Sequence, residues 1–390
     1  MKAHSILIVG ACALVLASGT GRAAEPGLTD KEILIGHLGV LTGPLASTGK
    51  TVFDGIDAVY DRVNSEGGIY GRKIRYVSED NRCQAAYGAA AAKKLIYEDN
   101  VFMIHGGACS NASLAEKPEI LRANIPWVIT ASTADSLTDP VQPMIFTTSL
   151  AAWVESAAQL QRALDIGAKR IAVVLQTDAW GRERTAALMS QFKKRNVQPI
   201  VQEELPPEPS DATAAALRVK QANPDAVILE LFPKAGAIYM RDAYKVGLTQ
   251  PTFGGSALGD VDAFAKNVGV PEAVRNLQSL SMVGYTPDDP KVAEWKKIIE
   301  SKYSGTNFGI WHMMGIASGE FVVAALRAAG PNLTREKLAQ ALAKQSLSPE
   351  TYAGPIACTN EDHQCYKSVS WFTLDSNGKI VQLGRTTVTK

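Results

Sequence analysis

The sequence predicts an α/β protein of two doubly wound lobes, each a parallel sheet covered by helices on both faces. Three observations carry this. Short apolar runs alternate with helical patterns along most of the chain. The connections between them are short, as they are where helices link parallel strands. The alternation restarts after Thr147, which gives a second unit of the same kind.

In the first run, strands are expected at Ile33–Leu41, Lys73–Ser78, Val101–Ile104 and Trp127–Thr130. Helices are expected at Val52–Asn64, Gln84–Tyr97 and Leu114–Arg122. Gly67-Gly68 and Gly71 punctuate a helix end and a tight turn into the next strand. In the second run, the strands fall at Ile171–Leu175, Pro199–Glu203, Ala226–Leu231 and Thr252–Phe253. The helices fall at Trp153–Leu164, Arg182–Arg195, Ala212–Ala222, Ala235–Val246 and Val261–Asn267. Gln142 to Ser149 and Asn276 to Tyr285 read as junctions. Beyond the second junction come helices at Val292–Tyr303, Ile316–Ala329 and Arg335–Lys344, then short β segments from Ala353 to Val388.

At the N-terminus, Lys2 and His4 precede the apolar stretch Ile6 to Leu16 and the small-residue segment Ala17 to Ala24. Residues 1–24 therefore read as a secretory signal peptide, too short to span a membrane. Cys12 follows too short an apolar run to favour lipidation. No other stretch reaches the roughly 18 apolar residues of a membrane helix. Cleavage leaves Cys83, Cys109, Cys358 and Cys365. An even count in an exported chain suggests disulfides, and Cys83–Cys109 with Cys358–Cys365 is the simplest of three pairings. His363 near Cys358 and Cys365 matches no common zinc spacing, so no metal is expected. The formal charge of +1 falls to about −1 without Lys2 and Arg22, which gives no electrostatic case for nucleic acid.

Catalytic signatures are missing. The chain has no Gly-x-Ser-x-Gly, Walker P-loop, Gly-x-Gly-x-x-Gly or His-Glu-x-x-His motif. An enzyme is not expected, and neither is a cofactor. The turn His105-Gly106-Gly107-Ala108-Cys109-Ser110-Asn111 is the most informative segment. It lies where a buried strand meets a helix, the place where open α/β sheets bind ligands. Read alone, Ser110 is a helix N-cap.

Several short motifs, in order, resemble one family: the branched-chain amino acid class of periplasmic solute-binding proteins, with the type I Leu/Ile/Val-binding protein fold. They are Gly39-Val40-Leu41-Thr42-Gly43-Pro44 with Gly49, Asn64 through Arg72, Asp80 with Cys83, the turn through Ser110, Thr130-Ala131-Ser132-Thr133-Ala134 and Asp178-Ala179-Trp180-Gly181. The resemblance implies two lobes, residues 25–146 plus 282–345 and residues 147–281 plus 346–390, joined by three crossovers. It implies a ligand closed between them and delivered to the permease of an ABC importer. It also implies a periplasmic location and a monomer.

The resemblance places Ser110 on the ligand carboxylate, the Ala131 backbone and the Thr133 hydroxyl beside it, and Trp180 and Phe232 as aromatic walls that sandwich the ligand. Tyr285 at a crossover is a further aromatic candidate. Where leucine binders carry an acid for the α-ammonium, this chain has Ser256, and Glu230 or Asp178 are the substitutes near the crevice. Thr48 and Ala108 are smaller than the family's usual side-chain walls. A missing counter-charge and a wider pocket point to an aromatic or other amphipathic carboxylate, since an unpaired buried ammonium costs several kcal/mol. A branched-chain or related amino acid is the second reading. A ligand-sensing receptor or regulator of the same fold is the alternative class.

Overall fold

The computed structural model describes residues 25–43 and 45–389. The signal peptide and the reading of Cys12 lie outside the described residues. The strands, in order, are β1 (Glu32–Gly39), β2 (Lys73–Asp80), β3 (Met103–Gly106), β4 (Trp127–Ile129), β5 (Ile145–Leu150), β6 (Ile171–Gln176), β7 (Val201–Leu205), β8 (Ala226–Glu230), β9 (Thr252–Gly254), β10 (Leu277–Ser281), β11 (Ser346–Leu347), β12 (Ile356–Ala357), β13 (Gln364–Tyr366), β14 (Ser368–Leu374) and β15 (Ile380–Thr387). The helices are α1 (Ala46–Ser65), α2 (Ala85–Lys93), α3 (Ser110–Ala123), α4 (Ala152–Asp165), α5 (Ala179–Lys194), α6 (Thr213–Gln221), α7 (Pro233–Lys245), α8 (Val261–Val268), α9 (Ala293–Lys302), α10 (Ile310–Ala328) and α11 (Arg335–Leu342).

Two sheets result. The first runs β11-β12-β13-β5-β4-β3-β1-β2, and the second β15-β14-β10-β9-β8-β6-β7. From β1 to β10 every pairing is parallel, and β3, β4, β5, β6 and β8 are buried along their whole length. Helices on both faces produce this, because a parallel sheet so covered needs apolar side chains on each side. Helices α1 and α10 pack together on the first sheet, as do α2 and α3. On the second, α4 pairs with α5, and α7 with α6 and α8.

In each sheet the chain reverses its direction of travel between neighbouring strands. The points of reversal are β1/β3 in the first and β6/β8 in the second. Such switch points leave a crevice beyond the strands' C-terminal ends. The segments leading into α1, α3, α5 and α7 all start there.

The expected junctions hide strands: Gln142 to Ser149 contains most of β5, and Asn276 to Tyr285 contains β10. The tail also divides differently from the expectation. The resemblance puts residues 346–366 in the second lobe, but β11, β12 and β13 extend the first sheet, with β13 parallel to β5. Only β14 and β15 join the second sheet, in antiparallel fashion. Short strands take their sheet from the edge they meet, and nothing local in their sequence fixes which edge that is. The Cys83–Cys109 and Cys358–Cys365 disulfides are both formed.

Candidate functional site

The turn after β3 is built on backbone that a side chain would disrupt. Gly107 adopts φ +94°, and a Cβ on Gly106 would lie 2.3 Å from the Leu38 carbonyl oxygen of β1. Cys109 is tied to Cys83 just beyond β2. The N-cap of α3 is Cys109, in extended conformation and with no side-chain cap. The N-cap expected at Ser110 is thus one residue too late, and Ser110 is the first helical residue. Its hydroxyl faces another loop instead. Ser110 Oγ accepts from the N–H groups of Thr133 (3.0 Å) and Ala134 (3.3 Å), beyond β4. Both lone pairs are used, so its proton remains to be donated.

Across the crevice, α5 starts with Asp178 as its N-cap, Oδ1 accepting from Gly181 N at 2.8 Å. Trp180 follows and is buried. Its ring stacks on Phe232, which ends the β8 loop, with centroids 4.3 Å apart and planes 20° from parallel. Its Nε1 donates to Thr133 Oγ1 of the first lobe at 3.1 Å. The sandwich expected between Trp180 and Phe232 is therefore corrected: the two rings lie on each other and form one wall.

A cavity of about 60 Å³ lies between the lobes. Thr48, Ala108, Ser110, Ala131 and Thr133 line it from the first lobe, and Trp180, Phe232 and Ser256 from the second. Three expected residues lie elsewhere. Glu230 is fully buried beneath the site, with both carboxylate oxygens held by Arg184 at 2.9 Å. Arg184 also donates to Glu155 Oε2 at 3.0 Å. Burial pushes the Glu230 carboxyl up to about 7. Burial alone would lower Arg184, but Glu155 and Glu230 hold it above its ordinary value. Asp178 lines only the outer cleft, and its Oδ2 accepts from Asn111 and Gln176. Tyr285 packs against the cations of Lys291 and Arg385, outside the cavity.

The outer cleft holds about 850 Å³. It shares Leu45, Thr48, Phe232, Pro233, Ala257 and Trp311 with the cavity, which is its inner end. Leu45, Met282 and Trp311 were not anticipated as lining. Trp311 could have been found by starting α10 six residues earlier than the apolar pattern alone suggests, at Ile310. Asn111 was in the singled-out turn, yet its role across the crevice shows only in three dimensions. Among the described residues, no group of three His, Cys, Asp or Glu side chains is arranged to hold a metal, and no helix is long and apolar enough to cross a membrane.

Two α/β lobes with a crevice at both switch points define a binding protein of the two-lobed type. The periplasmic binding protein family matches residues 32–379, and the chain belongs to it. It is similar to an amino acid binding protein of Pseudomonas aeruginosa, 24% identical over 77% of this chain and 80% of that one. In fold it resembles the branched-chain amino acid transporter substrate binding protein LivJ of Streptococcus pneumoniae, in complex with isoleucine. That likeness has a TM-score of 0.78 and 20% identity, covering 92% of this chain and 99% of the other. An ABC transporter solute binding protein of R. palustris in complex with 4-hydroxybenzoate aligns with a TM-score of 0.79 at 18% identity, covering 92% and 97%.

Proposed function

We propose that this chain is an extracytoplasmic solute-binding protein of an ABC importer. It captures a small amphipathic carboxylate, with an aromatic acid favoured, and delivers it as a monomer to a membrane permease. The reading rests on one observation above all: Ser110 Oγ accepts from two backbone N–H groups, so its proton is free for a ligand acceptor. Ser110 also opens α3, whose first N–H groups have no intrahelical acceptor, and such a helix start favours an anion.

The walls around this seat are apolar and aromatic: Ala108, Trp180, Phe232, Met282 and Trp311. Among the described residues no carboxylate lines the cavity, and Glu230 is paired with Arg184. An α-ammonium thus lacks a direct counter-charge, which disfavours an amino acid relative to an amine-free acid. The cavity of about 60 Å³ is far below the roughly 300 Å³ at the small end of ligand sites. A ring seats only once the Trp180–Phe232 pair draws back from Thr133, so binding and lobe movement are linked.

Isothermal titration with benzoate, 4-hydroxybenzoate, leucine and isoleucine tests the reading. Micromolar or tighter binding of a benzoate, with at least 10-fold weaker binding of both amino acids, supports it. The reverse order contradicts the aromatic assignment. It would return the site to the isoleucine-type ligand seen in the LivJ complex.

A further inference from the structure

The second lobe presents the opposite hydrogen-bond polarity to the cavity. Ser256, just beyond β9, lines the cavity. Its Oγ donates to Glu155 Oε1 at 2.8 Å, and its backbone N–H donates to Glu155 Oε2 at 2.7 Å. A serine hydroxyl has one proton and two lone pairs. Here the proton is committed to a carboxylate, so only lone pairs are left for a ligand.

That commitment is enforced by the surroundings. Glu155 is fully buried on α4 and also accepts from Arg184 Nη2 at 3.0 Å, and Arg184 is clamped by Glu230. Turning the Ser256 proton toward the cavity would place its lone pair against a buried carboxylate oxygen and cost a charge-assisted bond. Gly255 lets the chain pass this close: a Cβ there would lie 3.0 Å from Glu230 Oε2, 3.1 Å from Arg184 Nη2 and 3.2 Å from Glu155 Oε2.

We propose that the Glu155–Ser256 pair is a specificity device that accepts a hydrogen bond from an O–H or N–H donor on the ligand. The donor lies toward the second lobe, while the carboxylate sits on Ser110. This rests on the carboxylate reading above. A ligand with no donor there leaves the polarised oxygen of Ser256 unpaired in a closed site, which penalises it. Glu155 acts through Ser256 and is a positioning residue. The acid missing from the cavity wall is thus present one layer behind it.

The experiment is isothermal titration of the full chain with two matched ligand pairs. One is 4-hydroxybenzoate against 4-fluorobenzoate, and the other leucine against 4-methylpentanoate. Each is measured on the wild type and on Ser256→Ala. The wild-type comparison needs no variant and stands even if Ser256→Ala folds poorly. The inference expects the donor-bearing member of at least one pair to bind about 10-fold tighter or more, the scale of one buried hydrogen bond. Ser256→Ala should shrink that ratio to about 3-fold or less.

Equal affinities within every pair that binds, or a ratio unchanged in Ser256→Ala, overturn the inference. Equal binding of the two benzoates leaves the aromatic reading intact while doing so. A donor preference within the leucine pair, with neither benzoate bound, keeps the acceptor role of Ser256 and overturns the aromatic reading. No binding of any of the four overturns both.

Discussion

Asn111 of the first lobe holds the backbone N–H of Trp180 in the second, Oδ1 to N at 2.9 Å. Its Nδ2 donates to Asp178 Oδ2, also at 2.9 Å. One amide thus grips the start of α5 with both ends, and Ser136 Oγ adds a bond to Glu183 Oε1 at 2.7 Å. These contacts cross the crevice, so they exist only while the lobes are together.

Asn111→Ala should therefore weaken ligand binding without touching the carboxylate seat. Two hydrogen bonds at about 1 kcal/mol each shift the open–closed balance by roughly 10- to 30-fold. Titration calorimetry on the variant checks the loss. An unchanged affinity would mean that the amide contributes nothing to closure.

Arg184 should matter for stability more than for ligand choice. Arg184→Met leaves Glu155 and Glu230 buried without their cation, at a cost of about 3–5 kcal/mol. Urea unfolding followed by circular dichroism measures it. Glu230→Gln should lower stability while leaving the ratio of leucine to 4-methylpentanoate affinities unchanged, because Glu230 does not face the cavity.

His37 sets an acid-sensitive term. It is fully buried between Phe53 and Tyr76, with ring centroids 4.7 and 4.5 Å away. Burial lowers its pKa to about 3. A depressed histidine contributes stability above its unfolded value of 6.5, and that contribution is lost as pH falls towards 3. Asp57, with Oδ1 at 3.6 Å from His37 Nδ1, opposes this. Burial raises it to about 7, so its contribution is present at low pH and lost as pH rises through 7. Between pH 7 and 5 the stability of His37→Phe should rise by about 2 kcal/mol relative to the wild type, following the proton that only the unfolded wild type takes up. Chemical denaturation at the two pH values gives the difference, and a constant gap between the proteins would contradict it.

The Cys83–Cys109 bridge closes a loop with a sequence separation of 26. Replacing both cysteines with serine should cost about 2–4 kcal/mol, chiefly by freeing the unfolded chain. Ser110 follows Cys109 directly, so the same variant should also weaken carboxylate binding. Thermal melting and titration together test both effects.

Much of this was legible in the sequence because its physical cause is local. The apolar runs of β3, β6 and β8 and the glycine turn before Ser110 announce themselves in one dimension. Thr48, Ala108, Ala131, Thr133, Trp180, Phe232 and Ser256, which all line the cavity, come instead from the family resemblance and from no local pattern. Polarity was not legible. Whether Glu230 faces a ligand or an arginine depends on where α5 lays Arg184, 46 residues away in sequence. Glu155 sits 101 residues before the serine that it polarises. The stacking of Trp180 on Phe232 and the sheet chosen by β13 are likewise long-range outcomes that no spacing encodes.

A crystal structure with bound 4-hydroxybenzoate reads the orientation of the ligand directly. The carboxylate should lie within hydrogen-bond distance of Ser110 Oγ and Thr133 Oγ1, the ring against the Trp180–Phe232 wall, and the phenol hydroxyl should point at Ser256 Oγ. A carboxylate placed at Ser256, or a ligand held only in the outer cleft, would contradict it.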